Sequence, residues 1–329
     1  MNVEYCPGGE PPDEHPQDRR TCCRIDPSGS FPGATESYMR QLIKYMASHY
    51  VPEKVYLHLV YLWRFGRWAN LRQPATLNEK LHWKKLHDYR PFHTTISDKY
   101  AVREWVAGRI GESYLIPLIA VLERVEDLDW TRLPDSCIIK ATHASGQNVM
   151  VRGKHLLQET QVRNQLRRWM RQNHYYLSKE PQYRNITPRL IVEQLLTDPE
   201  GQIPMDFKFH CFHGRVETIQ VDIDRFGDHR RNFYDANWKL LPFTWSAWGK
   251  NGPHWPNGRA VERPARLEEM IGVAQALAQE FDYIRVDLFN CRERVYFGEL
   301  TLHHGGGWER FDPPGYDLYF GNKLNLREA

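Results

Sequence analysis

The strongest constraint lies toward the C-terminal end, in Tyr283-Ile-Arg-Val-Asp-Leu-Phe and, after a short polar break, Val295-Tyr-Phe-Gly-Glu-Leu-Thr. Strand side chains alternate, so Arg285 and Asp287 share one face of the first segment, and Ile284, Val286 and Leu288 share the other. In the second segment Glu299 and Thr301 share a face, opposite Tyr296, Leu300 and Leu302. A hairpin turning at Cys291-Arg-Glu-Arg sets Asp287 opposite Glu299, with Arg285 and Thr301 one step away on the same face. Two carboxylates beside a guanidinium are costly to gather on a sheet unless an ion compensates them. Two hard oxygen donors at that spacing suit Mg²⁺ holding a polyphosphate. The pattern predicts a nucleotide enzyme.

At 329 residues the chain can form one large domain or two to three smaller ones. A net charge of +3 gives no basic surface for nucleic acid, and no nucleic-acid partner is expected. Eleven tryptophans and 13% aromatic residues read first as core filling, with sugar or base stacking as the functional alternative. No run approaches ~18 uninterrupted apolar residues, so no transmembrane segment is expected. The N-terminus lacks a basic-then-apolar leader pattern. We therefore expect a cytoplasmic protein, with peripheral attachment at the inner face of the membrane as the further option. Cys6, His15, Cys22 and Cys23 contain no C-x-x-C pair and read as part of a loose tail rather than a zinc site.

Helical periodicity runs over 35–71: Met39, Leu42, Ile43 and Met46, then Val55, Leu57, Leu59, Val60 and Leu62, with a break near Pro52. Thr76-Leu-Asn-Glu79 is a capping box opening a helix that turns Leu81, Trp83 and Leu86 inward. Asp98-Lys-Tyr-Ala-Val-Arg103 opens another, ending near Gly111. The period then changes. Strands are expected at 137–141, 149–151, 190–196, 206–212 and 216–222, with His213-Gly214 as a turn. A basic amphipathic helix over 156–172 presents Arg163, Arg167, Arg168 and Arg171 as a solvated face. Leu267, Met270, Ile271, Ala274, Leu277 and Phe281 trace the apolar face of a helix leading into the Arg285 strand.

Lys140, Lys208 and Arg285 sit on predicted strands, where a long stem packs while the charge reaches into a cleft. Asp206, Lys208 and His210 share a strand face. Close charge contacts are each worth ~4 kcal/mol at an effective dielectric near 20, before desolvation, so such grouping calls for polyphosphate and a cation as mutual compensation. The loop His143-Ala-Ser-Gly-Gln-Asn148 follows Lys140, and Gly146 lets backbone approach a ligand. It is not a Walker loop, since no G-x-x-x-x-G-K-[ST] string occurs.

Lys140 with its Ser-Gly loop, Ile-Val-Glu193-Gln-Leu-Leu, Asp206-Phe-Lys208, Arg285-Val-Asp287 and Phe-Gly-Glu299-Leu-Thr301 resemble the ATP-grasp superfamily. More narrowly, Leu77-Asn-Glu-Lys-Leu, Asp98-Lys-Tyr-Ala-Val-Arg and Asp206-Phe-Lys-Phe-His-Cys-Phe-His-Gly are similar to TupA-like proteins of teichuronopeptide and polysaccharide biosynthesis, from about residue 65 onward. The resemblance implies an α+β ATP-grasp fold, two sheet-bearing lobes around an ATP cleft. With the polar, Pro- and Gly-punctuated start read as a disordered or loosely packed tail (1–34) and the periodic stretch as a helical region (35–112), the two lobes are expected at 113–196, with Lys140 and the Ser-Gly loop, and at 197–329, with the Mg²⁺-binding strands. The resemblance further implies that Lys140 and Lys208 hold phosphates, that Glu193, Gln194, Leu195 and Leu196 meet adenine, and that Ser145 and Gly146 close over the nucleotide. Asp206 joins that ATP site, Asp287 and Glu299 bind Mg²⁺, and Arg285 and Lys208 act on the transferred phosphoryl. Thr301 stands where many ATP-grasp enzymes carry a metal-binding Asn. His303-His-Gly-Gly-Gly307 is a stretch that could admit an acceptor or, as a histidine pair, a metal.

The implied activity is a carboxylate–amine ligase working through an acyl phosphate, with amino acid and glycan substrates of a surface polysaccharide and with ATP and Mg²⁺ required. Two rivals stand beside it. One is a glycosyltransferase using Asp222-Ile-Asp224 as a D-x-D motif, and the other is a glycan-binding protein stacking sugars on Trp245, Trp248 and Trp255.

Overall fold

The computed structural model describes residues 49–225, 227–249 and 252–326. Cys6, His15, Cys22 and Cys23 and the periodic residues Met39, Leu42, Ile43 and Met46 lie outside the described residues.

The helix Glu53–Phe65 stops at Gly66, whose left-handed backbone turns its N–H back to Leu62 O. It buries Leu57 and Tyr61 and leaves Val55 and Leu59 on the outside, so only part of the expected apolar set faces inward. The capping box forms as predicted: the Thr76 hydroxyl accepts from Glu79 N at 3.3 Å, and Glu79 Oε2 accepts from Thr76 N at 3.2 Å. The helix it opens, Leu77–His87, buries Leu77 and Leu81 but also Asn78, His82, Lys84 and Lys85, whereas Trp83 and Leu86 are only half-buried. It is enclosed on a polar side as well, because its side chains hydrogen-bond a loop from the far end of the chain: Asn78 to Glu309 O, His82 to Gly307 O and Lys85 to Gly306 O.

Four antiparallel strands, β1 (Leu118–Leu122), β2 (Ser136–Ala141), β3 (Asn148–Arg152) and β4 (Leu190–Gln194), form a sheet in the order β1-β4-β2-β3. Helix Glu159–Met170 covers it through Val162, Leu166 and Trp169, packed with Cys137, Ile139, Val149 and Val151. Its arginine face is not wholly solvated. Arg163 donates to Val125 O (2.9 Å) and Leu128 O (2.7 Å), fastening the segment before β2.

The chain continues through β5 (Asp206–Phe212), β6 (Arg215–Ile223), β7 (Arg230–Tyr234), β8 (Thr244–Ser246), β9 (Trp248–Gly249) and β10 (Gly252–Pro253). It ends with β11 (Tyr283–Cys291), β12 (Arg294–Thr301) and β13 (Arg310–Asp312). Five of these form the second sheet, in the order β12-β11-β5-β6-β7. Two-residue turns with positive φ join two of its hairpins, His213-Gly214 between β5 and β6 and Arg292-Glu293 between β11 and β12. Helix Leu267–Ala278 lays Leu267, Met270, Val273, Ala274 and Leu277 against Phe209, Ile219, Ile284 and Val286. Each large side chain so buried contributes roughly 1.5–3 kcal/mol. That leaves the opposite face of the sheet for charge.

One detail departs from strict alternation. The register shifts after Asp287, so that Leu288 pairs with Phe297 and Gly298 is the extra residue of a bulge. Phe297, rather than Tyr296, therefore joins Leu300 in the core. A Cβ at Gly298 would stand 3.0 Å from Asp287 O. Among the described residues no helix is long and apolar enough to cross a membrane.

Helix Gly315–Lys323 closes the fold against the capping box. A Cβ on Gly321 would lie 2.1 Å from Ala75 O and 2.9 Å from Leu77 N, whereas one on Gly315 would meet nothing within 4 Å. Gly321→Ala is expected to destabilise the protein by about 3 kcal/mol and Gly315→Ala by far less, measured by urea unfolding. Equal effects would show that the close approach at Gly321 relaxes without cost.

Candidate functional site

The polar face of the five-stranded sheet is built by register. Across β11 and β12, Asp287 pairs with Glu299 and Arg285 with Thr301. Across β11 and β5, Asp287 pairs with Lys208 and Arg285 with His210. Arg285 grips both carboxylates, with Nε and Nη2 each 2.6 Å from the two oxygens of Asp287 and Nη2 2.8 Å from Glu299 Oε1. The Lys208 ammonium donates to Asp206 and lies 3.4 Å from Asp222 Oδ2 and 3.7 Å from Asp287 Oδ2. Asp206, Lys208, Arg285, Asp287 and Glu299 thus meet in one continuous cluster. Thr301 Oγ1 points at Glu299 Oε1, 3.4 Å away, and so backs the carboxylate.

Burial works against every charge here. It lowers the Lys208 pKa, although Asp287 and Asp222 oppose it. Burial would raise the Glu299 carboxyl, but the charges of Arg285, Lys99 and Lys208 outweigh it and hold it below its ordinary value. The same contest, with Arg231 and Lys208 winning, keeps Asp222 well below the usual carboxylate range.

A second ring of buried groups fixes Arg285 from behind. Its Nη1 donates to His304 Nδ1 at 2.9 Å, which leaves the His304 proton on Nε2, 3.0 Å from Glu309 Oε2. Arg231 Nη1 binds the same Glu309 oxygen at 2.9 Å, and Arg231 Nε reaches Asp222 Oδ1 at 2.8 Å. His303 points elsewhere, with its Nδ1 3.2 Å from Gln182 Nε2 and 3.5 Å from Glu180 Oε2. The two neighbouring histidines therefore do not form a shared metal site. Gly305 is demanded by position, since its φ is +54° and a Cβ would lie 2.5 Å from Glu309 Cγ.

On the four-stranded sheet Lys140 Nζ lies 2.7 Å from Glu193 Oε2, and Arg103 Nη1 lies 2.7 Å from Glu193 Oε1. The Glu193 carboxylate is thus shared between two cations, and the N–H of Gln194 is bonded to Pro117 O. The Gln194 side chain is exposed, Leu195 is buried and Leu196 is half-buried. Ser145 and Gly146 are exposed at the β2–β3 connection, with Gly146 at φ +71°. Lys99 is fastened to the four-stranded sheet. Its backbone N–H bonds Thr142 O, its ammonium donates to Ala144 O at the root of that loop, and its pKa is lowered by burial against the pull of Glu299.

Lys99, Arg231, His304 and Glu309 are site residues that strand patterning does not single out for these roles. Lys99 lies in the Asp98-Lys-Tyr string, whereas nothing in sequence marks Arg231 or Glu309. The rivals fit the geometry poorly. Asp222 is buried among cations, while Asp224 is exposed in a turn at φ +47°, so the two do not converge as a D-x-D site. Trp245 is fully buried, stacked on Phe311 at 4.5 Å, and Trp255 lies over the Arg231 guanidinium at 4.3 Å. Trp245 is thus closed to a sugar, while Trp248 and Trp255 are half-buried.

A family model described as TupA-like ATP-grasp matches residues 79–325. No curated protein matches the chain. Among solved structures it is similar to the D-alanine–D-alanine ligase of Bacillus anthracis at 16% identity and a TM-score of 0.38, over 63% of this chain and 57% of that one. The chain thus spans little more than half the length of that ligase. It is also similar to the ATP-grasp ligase PsnB, solved with a phosphomimetic variant of its minimal precursor, Mg and ADP. That likeness has 11% identity and a TM-score of 0.39, over 84% of this chain and 67% of that one. N5-carboxyaminoimidazole ribonucleotide synthetase from Thermus thermophilus follows at 12% and 0.34, over 70% and 49%.

The ring predicts a signature in acid. Burial would raise the Glu309 carboxyl, but Arg231 and His304 bring it down to about 2 from an ordinary 4.5. The stability it contributes is complete above 4.5 and is lost as pH falls toward 2. Glu309→Gln should be less stable at neutral pH yet lose stability less steeply over that window, by up to about one proton in the slope, measured by urea unfolding at stepped pH. Parallel curves for the two proteins would refute the assignment.

Proposed function

Because the chain belongs to the TupA-like ATP-grasp family, we propose that it is an ATP-dependent carboxylate–amine ligase joining an amino acid to a uronic acid or amino sugar of a surface polysaccharide. The observation that carries this reading is the pairing of Asp287 with Glu299 on a sheet face where Arg285 and Lys208 also converge. The donor set suits magnesium, with two hard carboxylate oxygen groups on adjacent strands. Among the described residues no group of three or more His, Cys, Asp or Glu gathers as a metal site, so the remaining ligands would come from phosphate and water. When bound, the ion would neutralise phosphate charge.

In this reading Lys140, Lys208 and Lys99 hold phosphates, the Ser145–Gly146 loop covers them and the backbone of 193–196 faces adenine. Asp206 keeps Lys208 in place. Arg285, held at Nη1 by His304, would turn its Nε and Nη2 from Asp287 and Glu299 to the transferred phosphoryl as those two carboxylates take the ion. A carboxylate oxygen of one substrate takes the γ-phosphoryl and ADP leaves. The amine of the other then attacks the acyl carbon, phosphate departs with the bonding electrons, and the nitrogen loses a proton to give the amide. Such chemistry asks for positioning and charge neutralisation rather than a protein nucleophile. Its need for ATP supports a cytoplasmic location.

The test is ADP release from Mg·ATP across amino acids paired with uronic acids and amino sugars. One pairing should stimulate release and yield a product lighter than its two parts by one water. Asp287→Ala and Glu299→Ala should each lower that turnover by ~10²-fold or more. Full activity in both would remove the basis for the reading.

A further inference from the structure

The helix Glu53–Phe65 carries an uncovered apolar stripe. Val55, Leu59 and Trp63 recur every four residues, so they lie along one side, and they are 48%, 51% and 76% exposed. The buried residues of the same helix, Leu57 and Tyr61, point into the protein. Trp68, 58% exposed, lies near the same helix, its ring 6.5 Å from that of His58. Two open indoles beside aliphatic side chains are unusual on a water-facing surface.

The charges near the stripe in sequence are mostly positive. Residues 50–73 contain a single acid, Glu53, which is paired with Arg184 at 2.6 Å. They contain four bases: Lys54, Arg64, Arg67 and Arg72. Arg67 is taken by Glu79, Arg64 lies over the Trp63 ring at 5.3 Å, and Lys54 and Arg72 are exposed. Indole rings partition to the boundary between headgroups and acyl chains, aliphatic side chains enter just below it, and basic side chains meet anionic headgroups. We propose that this face docks on the surface of an anionic phospholipid bilayer, with helix Glu53–Phe65 lying in its plane. Binding of this kind needs no spanning helix, and among the described residues there is none. The proposal does not rest on the ligase reading, although it would bring the site to a lipid-linked acceptor.

The test uses the full chain without nucleotide, cosedimented with vesicles of phosphatidylglycerol and phosphatidylcholine or of phosphatidylcholine alone. Binding to the anionic vesicles is expected, weakening as salt rises. Trp63→Ser with Trp68→Ser should weaken it at least ~10-fold, and Lys54→Glu with Arg72→Glu should remove most of the preference for anionic lipid. Both variants should keep the parent's unfolding midpoint and its ADP release with soluble substrates. Three results would overturn the proposal. They are no vesicle binding by the parent protein, undiminished binding by the double tryptophan variant, or a concentration-dependent dimer in sedimentation that the tryptophan changes abolish. Vesicle binding is read without ATP and ADP release without vesicles, so either idea can fail alone.

Discussion

The Arg285 guanidinium is the interaction on which the polar face depends. Placing Asp287 and Glu299 opposite each other on adjacent strands puts two carboxylates in one small space, and like charges at that distance resist joint ionisation. A lysine could neutralise one of them. A planar fork can serve both carboxylates and still offer a third direction, and here that direction is filled by His304. Removing Arg285 would strand buried anions, which costs more than an ordinary salt bridge contributes.

From Arg285 the charges continue as a ring through His304, Glu309, Arg231, Asp222 and Lys208, and back to Asp287. Each carboxylate in it meets at least one cation, and each cation at least one carboxylate or polar ring atom. Such a closed arrangement is tolerable in a protein interior because desolvation is shared and few donors are left unmet. It also sets orientation. His304 accepts from Arg285 only if its proton faces Glu309, so one tautomer is selected, and that choice propagates to Arg231. A site that must meet several phosphate charges gains from such prior order, since groups already fixed need little reorganisation.

What sequence made legible was local. The hairpin register, the capping box at Thr76, the helix before β11 and the alternation of Asp206, Lys208 and His210 all follow from periods of two and 3.6 and from short-range hydrogen bonds. The misses have physical sources. Gly298 hides a bulge, because a glycine in a strand can be read either as a pause or as an extra residue, and the choice moves Phe297 into the core in place of Tyr296. Trp83 follows a helical pattern, yet the tertiary contacts of Leu77–His87 draw Asn78, His82 and Lys85 inward instead. Arg231 and Glu309 are 78 positions apart, and only the folded sheet brings them to 2.9 Å. Lys99 stands at a helix start, where a solvated role is the ordinary one, until Ala144 O is found above it.

Those same inward polar residues explain why the helical region belongs to the site. Asn78, His82 and Lys85 occupy positions i, i+4 and i+7, one side of a helix. They meet the carbonyls of Glu309, Gly307 and Gly306 at 2.9, 2.9 and 2.7 Å. Gly305, Gly306 and Gly307 all take positive φ in a short irregular turn; the Gly305 carbonyl is met by Trp308 N within the turn, and those of Gly306 and Gly307 are met by the helix. The helix supplies those partners at its own fixed spacing and thereby sets the path of the loop between His304 and Glu309. Burial drives the Lys85 ammonium down to about 8, a measure of how deeply this contact is enclosed. A helix lying before both sheets in sequence thus holds the loop that holds Arg285, and the sheet alone would not specify where that guanidinium points.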